Sequence, residues 1–204
     1  MMPAFKQTPY SSLTTIPPFP LAPKTQWQAA DCLTVPDFHL KNWLLDTSSL
    51  TERLQSHCRQ FRVQVLGQAT APLMADELLK MGAEPYLVRE VILWGDDMPW
   101  VFARSLLPST LCEQEHGKLA NLGDRPLGSI LFNDPLFTRL PFEITCLPEE
   151  HPLLGSLELS ERRSLWGRRS RFQYQQWQMM VAEIFLPQSP AYKNMGNISD
   201  VAKG

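Results

Sequence analysis

The sequence lacks the long apolar segments and short catalytic signatures that define several large protein classes. No uninterrupted apolar run approaches the ~18 residues of a membrane-spanning helix, so we expect no membrane insertion. A basic N-terminal region followed by an apolar segment is also missing, which favours a cytoplasmic location over secretion. The absence of GxSxG, GxGxxG and P-loop motifs removes the usual signatures of serine hydrolases and nucleotide-binding proteins.

Patterns that bind metals are missing as well. The four cysteines (Cys32, Cys58, Cys112 and Cys146) are widely spaced, without CxxC or CxxH pairs, and the four histidines also lack ligand spacing. We therefore expect reduced thiols and a chemistry that works without a metal site, a nucleotide-binding loop or a serine nucleophile. The formal net charge is only −2, from 19 basic and 21 acidic residues, so nothing predicts a nucleic-acid-binding surface.

Proline is unevenly distributed along the 204 residues and defines a predicted tail. Many of the 18 prolines precede residue 24, and such a segment can form neither a helix nor a central strand. We predict a proline-rich, disordered tail over residues 1–26, one domain over 27–192 and a flexible C-terminal tail over 193–204. No heptad or repeated apolar stripe indicates self-association, so we expect a monomer.

Hydrophobic spacing predicts helices early in the domain and in its middle. We expect helices over residues 37–46 and from the Ser49 capping box to about Cys58, with a short helix after Pro126. Alternating or β-branched segments predict about six strands, over 61–66, 86–94, 100–107, 142–146, 169–177 and 178–186, with a hairpin turn at 95–99. This order indicates an α+β fold with a mostly antiparallel sheet.

Two charged residues interrupt otherwise apolar strands. With a two-residue repeat, Arg89 shares a strand face with Val91, and Glu183 shares one with Val181. Ionised groups on an apolar face are costly unless they are paired or bind a ligand. Two interpretations stay open. Either each residue is satisfied structurally, or both face an enclosed pocket, where Arg89 binds a carboxylate and Glu183 binds a hydroxyl or moves a proton.

Two backbone amides fit the second interpretation. Leu50 follows the predicted cap Ser49, and Leu127 follows Pro126, which is a favoured first-turn residue. Amides in a first helical turn have no acceptor within the helix and favour an anion. One arginine and two such amides would bind a carboxylate.

The remaining arginines each have two interpretations. Arg104 falls on the side of Trp100 and Phe102, where it either assists substrate binding or forms a structural ion pair. The basic stretch 162–171 is either a phosphate or nucleic-acid patch or, as we expect, part of a strand with outward-facing arginines. In the second case the acidic residues between 149 and 161 would be their partners.

Seven short segments occur in an order and at spacings that are found together in one protein family. They are residues 43–45, 86–91, 98–100, 125–128, 165–171, 183–187 and 189–192. The LWGRRSR run at 165–171 and the ExFLP run at 183–187 are the specific ones. On these residues, the stretch from 43 to 192 resembles the chorismate pyruvate-lyases, also called 4-hydroxybenzoate synthases.

The resemblance implies a small, cofactor-free enzyme that converts chorismate to 4-hydroxybenzoate and pyruvate, the first committed step of ubiquinone biosynthesis. It implies an antiparallel sheet whose helices cover an internal ligand cavity. The family's ligand contacts carry over to Arg89, Glu183 and the backbone amides of Leu50 and Leu127. One relative has Met at the position of Leu50, a change that keeps the amide but alters the local wall.

The resemblance also implies how the site would behave. Arg104 is a candidate partner for the enolpyruvyl carboxylate of chorismate. An enclosed site would release 4-hydroxybenzoate slowly, so we expect product inhibition, with the helices that start near Leu50 and Leu127 acting as lids. The alternative is a non-catalytic domain or carrier of the same fold that binds a small aromatic acid.

Overall fold

The protein is built around one antiparallel sheet. The structure is a computed structural model, and it describes residues 17–114, 119, 121–131 and 134–192. The strands are β1 (Gln28–Ala29), β2 (Phe61–Thr70), β3 (Tyr86–Gly95), β4 (Met98–Pro108), β5 (Thr138–Arg139), β6 (Glu143–Leu147), β7 (Leu165–Tyr174) and β8 (Trp177–Phe185). They lie in the order β1-β6-β7-β8-β4-β3-β2, and β5 also pairs with β7.

The α+β class with an antiparallel sheet is confirmed, but the sheet has eight strands instead of about six. The two additional strands, β1 and β5, have two residues each, which is too short to show an alternating pattern. The predicted hairpin joins β3 to β4 through Asp96 and Asp97, whose φ angles are +48° and +63°. Two positive φ angles are typical of the type I′ turn, whose twist matches that of the flanking strands.

The helices are all short. They are α1 (Phe38–Leu45), α2 (Leu50–Gln55), α3 (Ala75–Met81), α4 (Ser109–Gln114), α5 (Gly128–Leu131) and α6 (Pro152–Ser156), followed by a 3₁₀ turn at Pro190–Tyr192. The predicted helices correspond to α1, α2 and α5, whereas no pattern had indicated α3, α4 or α6. In the part of the chain that the structure describes, no helix has the length and apolar character needed to cross a membrane.

Both faces of the sheet are covered, which buries the central strands β3 and β4 almost completely. On one face, Trp43 of α1 and Leu54 of α2 join a hydrophobic cluster with Val91. On the other face, Met81 of α3 and Leu154 of α6 belong to clusters formed with the alternate residues of the same strands. The sheet is therefore the middle of three layers, and the residues of each strand alternate between two buried environments.

Residues 17–26, which fall within the predicted tail, lie against the sheet. Glu90 accepts hydrogen bonds from the backbone amides of Leu21 (2.7 Å) and Ala22 (3.0 Å). The ring of Phe19 covers Gly67 so closely that a Cβ atom at this glycine would lie 2.2 Å from the ring. The remainder of the predicted N-terminal tail and all of the predicted C-terminal tail lie outside the described residues.

Arg104 lies on this second face, within a buried ionic cluster. Its guanidinium donates to both carboxylate oxygens of Glu77 (2.8 and 2.9 Å) and to Glu90 (2.9 Å). Burial alone would lower the pKa of Arg104, but the hydrogen bonds and charges of Glu77 and Glu90 raise it above its ordinary value. These contacts favour the structural ion pair over the tentative assignment of Arg104 to substrate binding.

The cluster gives a first prediction. Replacing Arg104 with Met leaves two buried carboxylates without their cation, so the free energy of unfolding should fall by about 3–5 kcal/mol. Urea denaturation measures this loss.

Lys80→Met is the matched control. The Lys80–Glu143 pair is partly exposed, and Glu143 keeps its second partner, Arg169. The control should therefore lose about 1 kcal/mol or less. Equal losses for the two variants would contradict the role assigned to the buried cluster.

Candidate functional site

A pocket lies on the face of the sheet that Arg104 does not share. Its floor contains Arg89 and Val91 of β3, Ala103 and Ser105 of β4, and Glu183 of β8. The strand register places Val91 opposite Ala103, and Ala103 opposite Glu183. Because alternate residues of a strand point to the same side, these five side chains share one face of the sheet.

The cover of the pocket is largely apolar. Leu50 and Thr51 of α2 line it on one side, and Leu127, Leu131 and the ring of Phe172 line it elsewhere. The cavity volume of the pocket is about 40 Å³. A single water needs only ~10–15 Å³ on this measure, so the pocket exceeds an ordinary packing defect. An apolar chamber with a few polar groups is typical of a small-molecule site.

Arg89 supplies a buried cation at one end of the floor and is 3% exposed. Its Nη1 donates to Gln68 Oε1 (2.8 Å), and its Nη2 donates to the carbonyls of Gly123 (2.7 Å) and Arg125 (3.4 Å). Burial lowers the pKa of Arg89, and the nearby charge of Asp124 offsets this only in part. Its hydrogen-bond partners among the described residues are all uncharged oxygens. A buried guanidinium in this setting favours an anionic ligand.

Glu183 supplies an anion at the other end of the floor. Its Oε2 accepts from Arg168 Nε at 2.7 Å, and 14% of its side chain is exposed. Arg168 is anchored through Nη1, which donates to the carbonyls of Trp43 (3.1 Å) and Asp46 (2.8 Å). Arg168 Nη2 is buried without a hydrogen-bond acceptor in the described part of the chain. Glu183 is therefore held in position from the side away from Arg89.

The two charged residues lie apart along the floor. In the strand register Arg89 lies opposite Ser105, and Ser105 lies opposite Val181. Glu183 lies two residues beyond Val181 in β8. Two strand spacings and two residues correspond to about 12 Å between Cα atoms. The pocket therefore carries a cation and a carboxylate at separate points of its floor, whose other residues are Val91, Ala103 and Ser105.

The two predicted amide positions also border the pocket. α2 begins at Leu50, and the Ser49 side chain caps it by accepting from Glu52 N at 3.4 Å. Leu127 comes directly before α5, and its carbonyl accepts from the amides of Ile130 and Leu131. Leu127 is therefore the residue that caps α5, one position earlier than the predicted first turn.

The structure adds Arg139 of β5 to the lining residues. Its Nη1 donates to the carbonyl of Thr47 at 3.2 Å, and its guanidinium lies 4.7 Å from the ring centre of Phe142 and 4.9 Å from that of Phe172. A strand of two residues shows no periodicity, so no signal in the sequence indicated that Arg139 reaches the pocket.

The basic stretch contributes to a strand, as expected, because residues 165–171 lie in β7, but the expected outward orientation of its arginines is wrong for the central two. Arg168 and Arg169 are buried, not outward-facing. Arg168 pairs with Glu183, and Arg169 pairs with Asp76 and Glu143, so their partners are not the acidic residues between 149 and 161. These carboxylates come from the neighbouring strands β6 and β8 and from α3, and no periodicity in the sequence could show these contacts.

Metal-binding clusters and disulfides are both absent from the described residues. No group of three or more His, Cys, Asp or Glu side chains there could hold a metal ion. The four cysteines all lie within the described ranges and are free thiols.

The comparisons with known proteins agree with one another. A family model described as Chorismate lyase matches residues 21–197. "Probable chorismate pyruvate-lyase" of Pseudoalteromonas atlantica is 45% identical over 183 residues, which are 86% of this chain and 93% of that relative. The protein of the same name from Shewanella amazonensis is 41% identical over 182 residues, 85% of this chain and 94% of that relative.

A solved structure shows a similar fold. The effector domain of PhnF from Mycobacterium smegmatis has a TM-score of 0.53 at 12% identity, over 69% of this chain and 89% of that domain. At this identity, the likeness concerns the fold alone.

Proposed function

Because the chain belongs to the chorismate lyase family, we propose that it is a pyruvate-lyase that converts chorismate to 4-hydroxybenzoate and pyruvate. In this proposal it catalyses the first committed step of ubiquinone biosynthesis, as a cytoplasmic monomer. The observation that carries the proposal is the pocket floor, where Arg89 and Glu183 stand apart on an apolar surface.

The reaction mainly requires the protein to bind chorismate and to orient it. Chorismate is a cyclohexadiene with a ring carboxylate, a ring hydroxyl and a neighbouring enolpyruvyl ether. The bond between the ring carbon and the ether oxygen breaks, and its electron pair leaves with the oxygen as the enolate of pyruvate. The ring carbon that carries the hydroxyl loses a proton, and a proton is added to the methylene carbon of the enolate. The ring becomes aromatic, which supplies the driving force, so catalysis rests on positioning and on stabilising developing charge.

Arg89 is the proposed binding residue for the ring carboxylate. A guanidinium can bind a carboxylate with two parallel hydrogen bonds. The hydrogen-bond partners of Arg89 among the described residues are neutral oxygens, and the nearby charge of Asp124 offsets the effect of burial only in part. Leu50 and Leu127 line the same pocket, and in this proposal their backbone amides complete the contact with the carboxylate.

Glu183 is proposed to contact the ring hydroxyl at the opposite end. Arg168 holds its carboxylate through Oε2, and Glu183 lines the pocket. From this place Glu183 either accepts the proton of the adjacent ring carbon as a general base or only orients the hydroxyl. In the second case the hydrogen passes within the substrate to the methylene carbon of the enolpyruvyl group.

An assay of pyruvate release tests the proposal directly. Purified protein mixed with chorismate should produce pyruvate and 4-hydroxybenzoate in equal amounts. The alternative is a non-catalytic domain or carrier that binds a small aromatic acid. Binding of 4-hydroxybenzoate without any pyruvate release would select that alternative and overturn the proposed reaction.

Removal of the Arg89 side chain gives the second prediction. Arg89→Ala should raise KM and lower kcat/KM for chorismate by about 100-fold or more, because a buried, charge-assisted contact with the ring carboxylate is lost. The kcat/KM of Arg89→Lys should lie between those of wild type and Arg89→Ala, because lysine keeps the positive charge but cannot form two parallel hydrogen bonds with the carboxylate. Unchanged kinetics in a folded Arg89→Ala variant would defeat the assignment.

The third prediction separates the two roles of Glu183. If Glu183 is a general base, Glu183→Gln should lower kcat by about 100-fold or more, because the amide cannot accept the proton. Steady-state kinetics with chorismate gives kcat and KM separately. Near-normal kcat with a raised KM would eliminate the base and leave Glu183 as a residue that orients the hydroxyl.

The fourth prediction concerns the product. 4-Hydroxybenzoate keeps the carboxylate and the hydroxyl that Arg89 and Glu183 are proposed to bind, so it should compete with chorismate and leave slowly. Progress curves should bend after few turnovers and bend sooner with added 4-hydroxybenzoate. Benzoate lacks the hydroxyl and serves as the control, which should inhibit more weakly. Linear curves that added product does not change would contradict this prediction.

A further inference from the structure

We infer that Arg139 binds the second carboxylate of the substrate, the one on the enolpyruvyl group, and so forms a subsite that 4-hydroxybenzoate does not use. The inference rests on the proposed function, because it names the group that would recognise the part of chorismate that leaves. It also replaces Arg104, which the fold places on the other face of the sheet.

The position of Arg139 carries the inference. Among the described residues that line the pocket, the arginines are Arg89 and Arg139, and no lysine is present. The guanidinium groups of Arg139 and Arg168 lie 4.7 and 5.0 Å from the same ring centre, that of Phe142. Because Arg168 also binds Glu183, the Arg139 guanidinium is located at the Glu183 end of the pocket, away from Arg89.

Backbone contacts support the same location. Arg168 donates to the carbonyl of Asp46, and Arg139 donates to the carbonyl of the next residue, Thr47. Two adjacent carbonyls therefore hold the two guanidinium groups side by side. The ring of Phe172, which lies 4.9 Å from the Arg139 guanidinium, also lines the pocket. Arg139 is thus held in a defined place at the pocket wall.

The charges near Arg139 are of both signs. Burial is the main cause that lowers the pKa of Arg139 to about 10, and the neighbouring charge of Arg168 adds to this effect, while the charges of Glu183 and Asp46 oppose it. Both carboxylates are also bound by other arginines, Glu183 by Arg168 at 2.7 Å and Asp46 by Arg53 at 2.6 Å. A buried guanidinium whose neighbouring carboxylates are shared in this way favours an anionic ligand.

The substrate places its second anion at the same end. The enolpyruvyl ether is attached to the ring carbon next to the one that carries the hydroxyl. If Glu183 contacts that hydroxyl, the enolpyruvyl carboxylate extends from the neighbouring carbon towards the Arg139 end. A cation there would also stabilise the negative charge of the departing enolate, which grows as the carbon–oxygen bond breaks.

Substrate and product should therefore respond differently to a change at Arg139. Arg139→Gln should lower kcat/KM for chorismate by about 10- to 100-fold, the range expected when one charged hydrogen-bonding partner is lost. The Kd of 4-hydroxybenzoate, measured by isothermal titration calorimetry, should stay within about twofold of wild type, because the product lacks the enolpyruvyl carboxylate. Arg139→Lys should recover part of kcat/KM, and it serves as the test if Arg139→Gln does not fold.

The control is Arg162→Gln, which makes the same substitution at an exposed arginine outside the pocket and should leave both quantities unchanged. If wild type is active and the folded Arg139 variants have unchanged kcat/KM, the inference is overturned and the proposed function is not affected. A parallel rise of KM and of the product Kd would also overturn it, since that pattern indicates general damage to the pocket. Wild-type protein that releases no pyruvate would overturn the proposed function, and the inference with it.

Discussion

The cost of burying arginine in a sheet with two covered faces governs this structure. A guanidinium removed from water needs a carboxylate, a set of oxygen acceptors or a bound anion. Arg104 meets this need within the protein, because Glu77 and Glu90 surround it with two carboxylates. Arg89 has only neutral oxygen partners among the described residues, and the pocket lies beside it. Both arginines are buried, so burial does not distinguish them. They differ in their partners, since carboxylates neutralise the charge of Arg104 and neutral oxygens do not neutralise that of Arg89.

Strand alternation keeps these two roles apart. Arg89 and Glu90 are neighbours in β3, yet Arg89 faces the pocket while Glu90 faces the opposite layer, where it binds Arg104 and the amides of Leu21 and Ala22. The two adjacent residues Arg89 and Glu90 therefore connect the pocket on one face of the sheet to the segment 17–26 on the other face. The ionic cluster of Arg104, Glu77 and Glu90 lies on the opposite face of β3 and β4 and holds these strands in place. The backbone beneath the pocket therefore gains rigidity from contacts that lie outside the pocket.

The sequence allowed the main features of the floor to be predicted. A charged residue in an apolar strand is a visible exception, which is why the periodicity indicated both Arg89 and Glu183. The capping box indicated α2 in the same way. Arg139 gave no such signal, because β5 pairs only two residues and its place depends on contacts with Thr47 and Phe142. The partners of Arg169 were equally hidden, since Glu143 and Asp76 lie 26 and 93 residues away in the chain and meet Arg169 only in the fold.

The pocket combines a rigid floor with a cover made of short elements. The floor belongs to strands of nine to eleven residues that pair on both sides, whereas α2 has six residues and α5 has four. Short helices gain little stability from their own hydrogen bonds and depend on the packing of a few side chains such as Leu50 and Leu131. Opening the cover would therefore disturb few contacts and leave the charged groups of the floor in place. A small molecule could enter and leave in this way while Arg89, Glu183 and Arg139 keep their positions in the pocket.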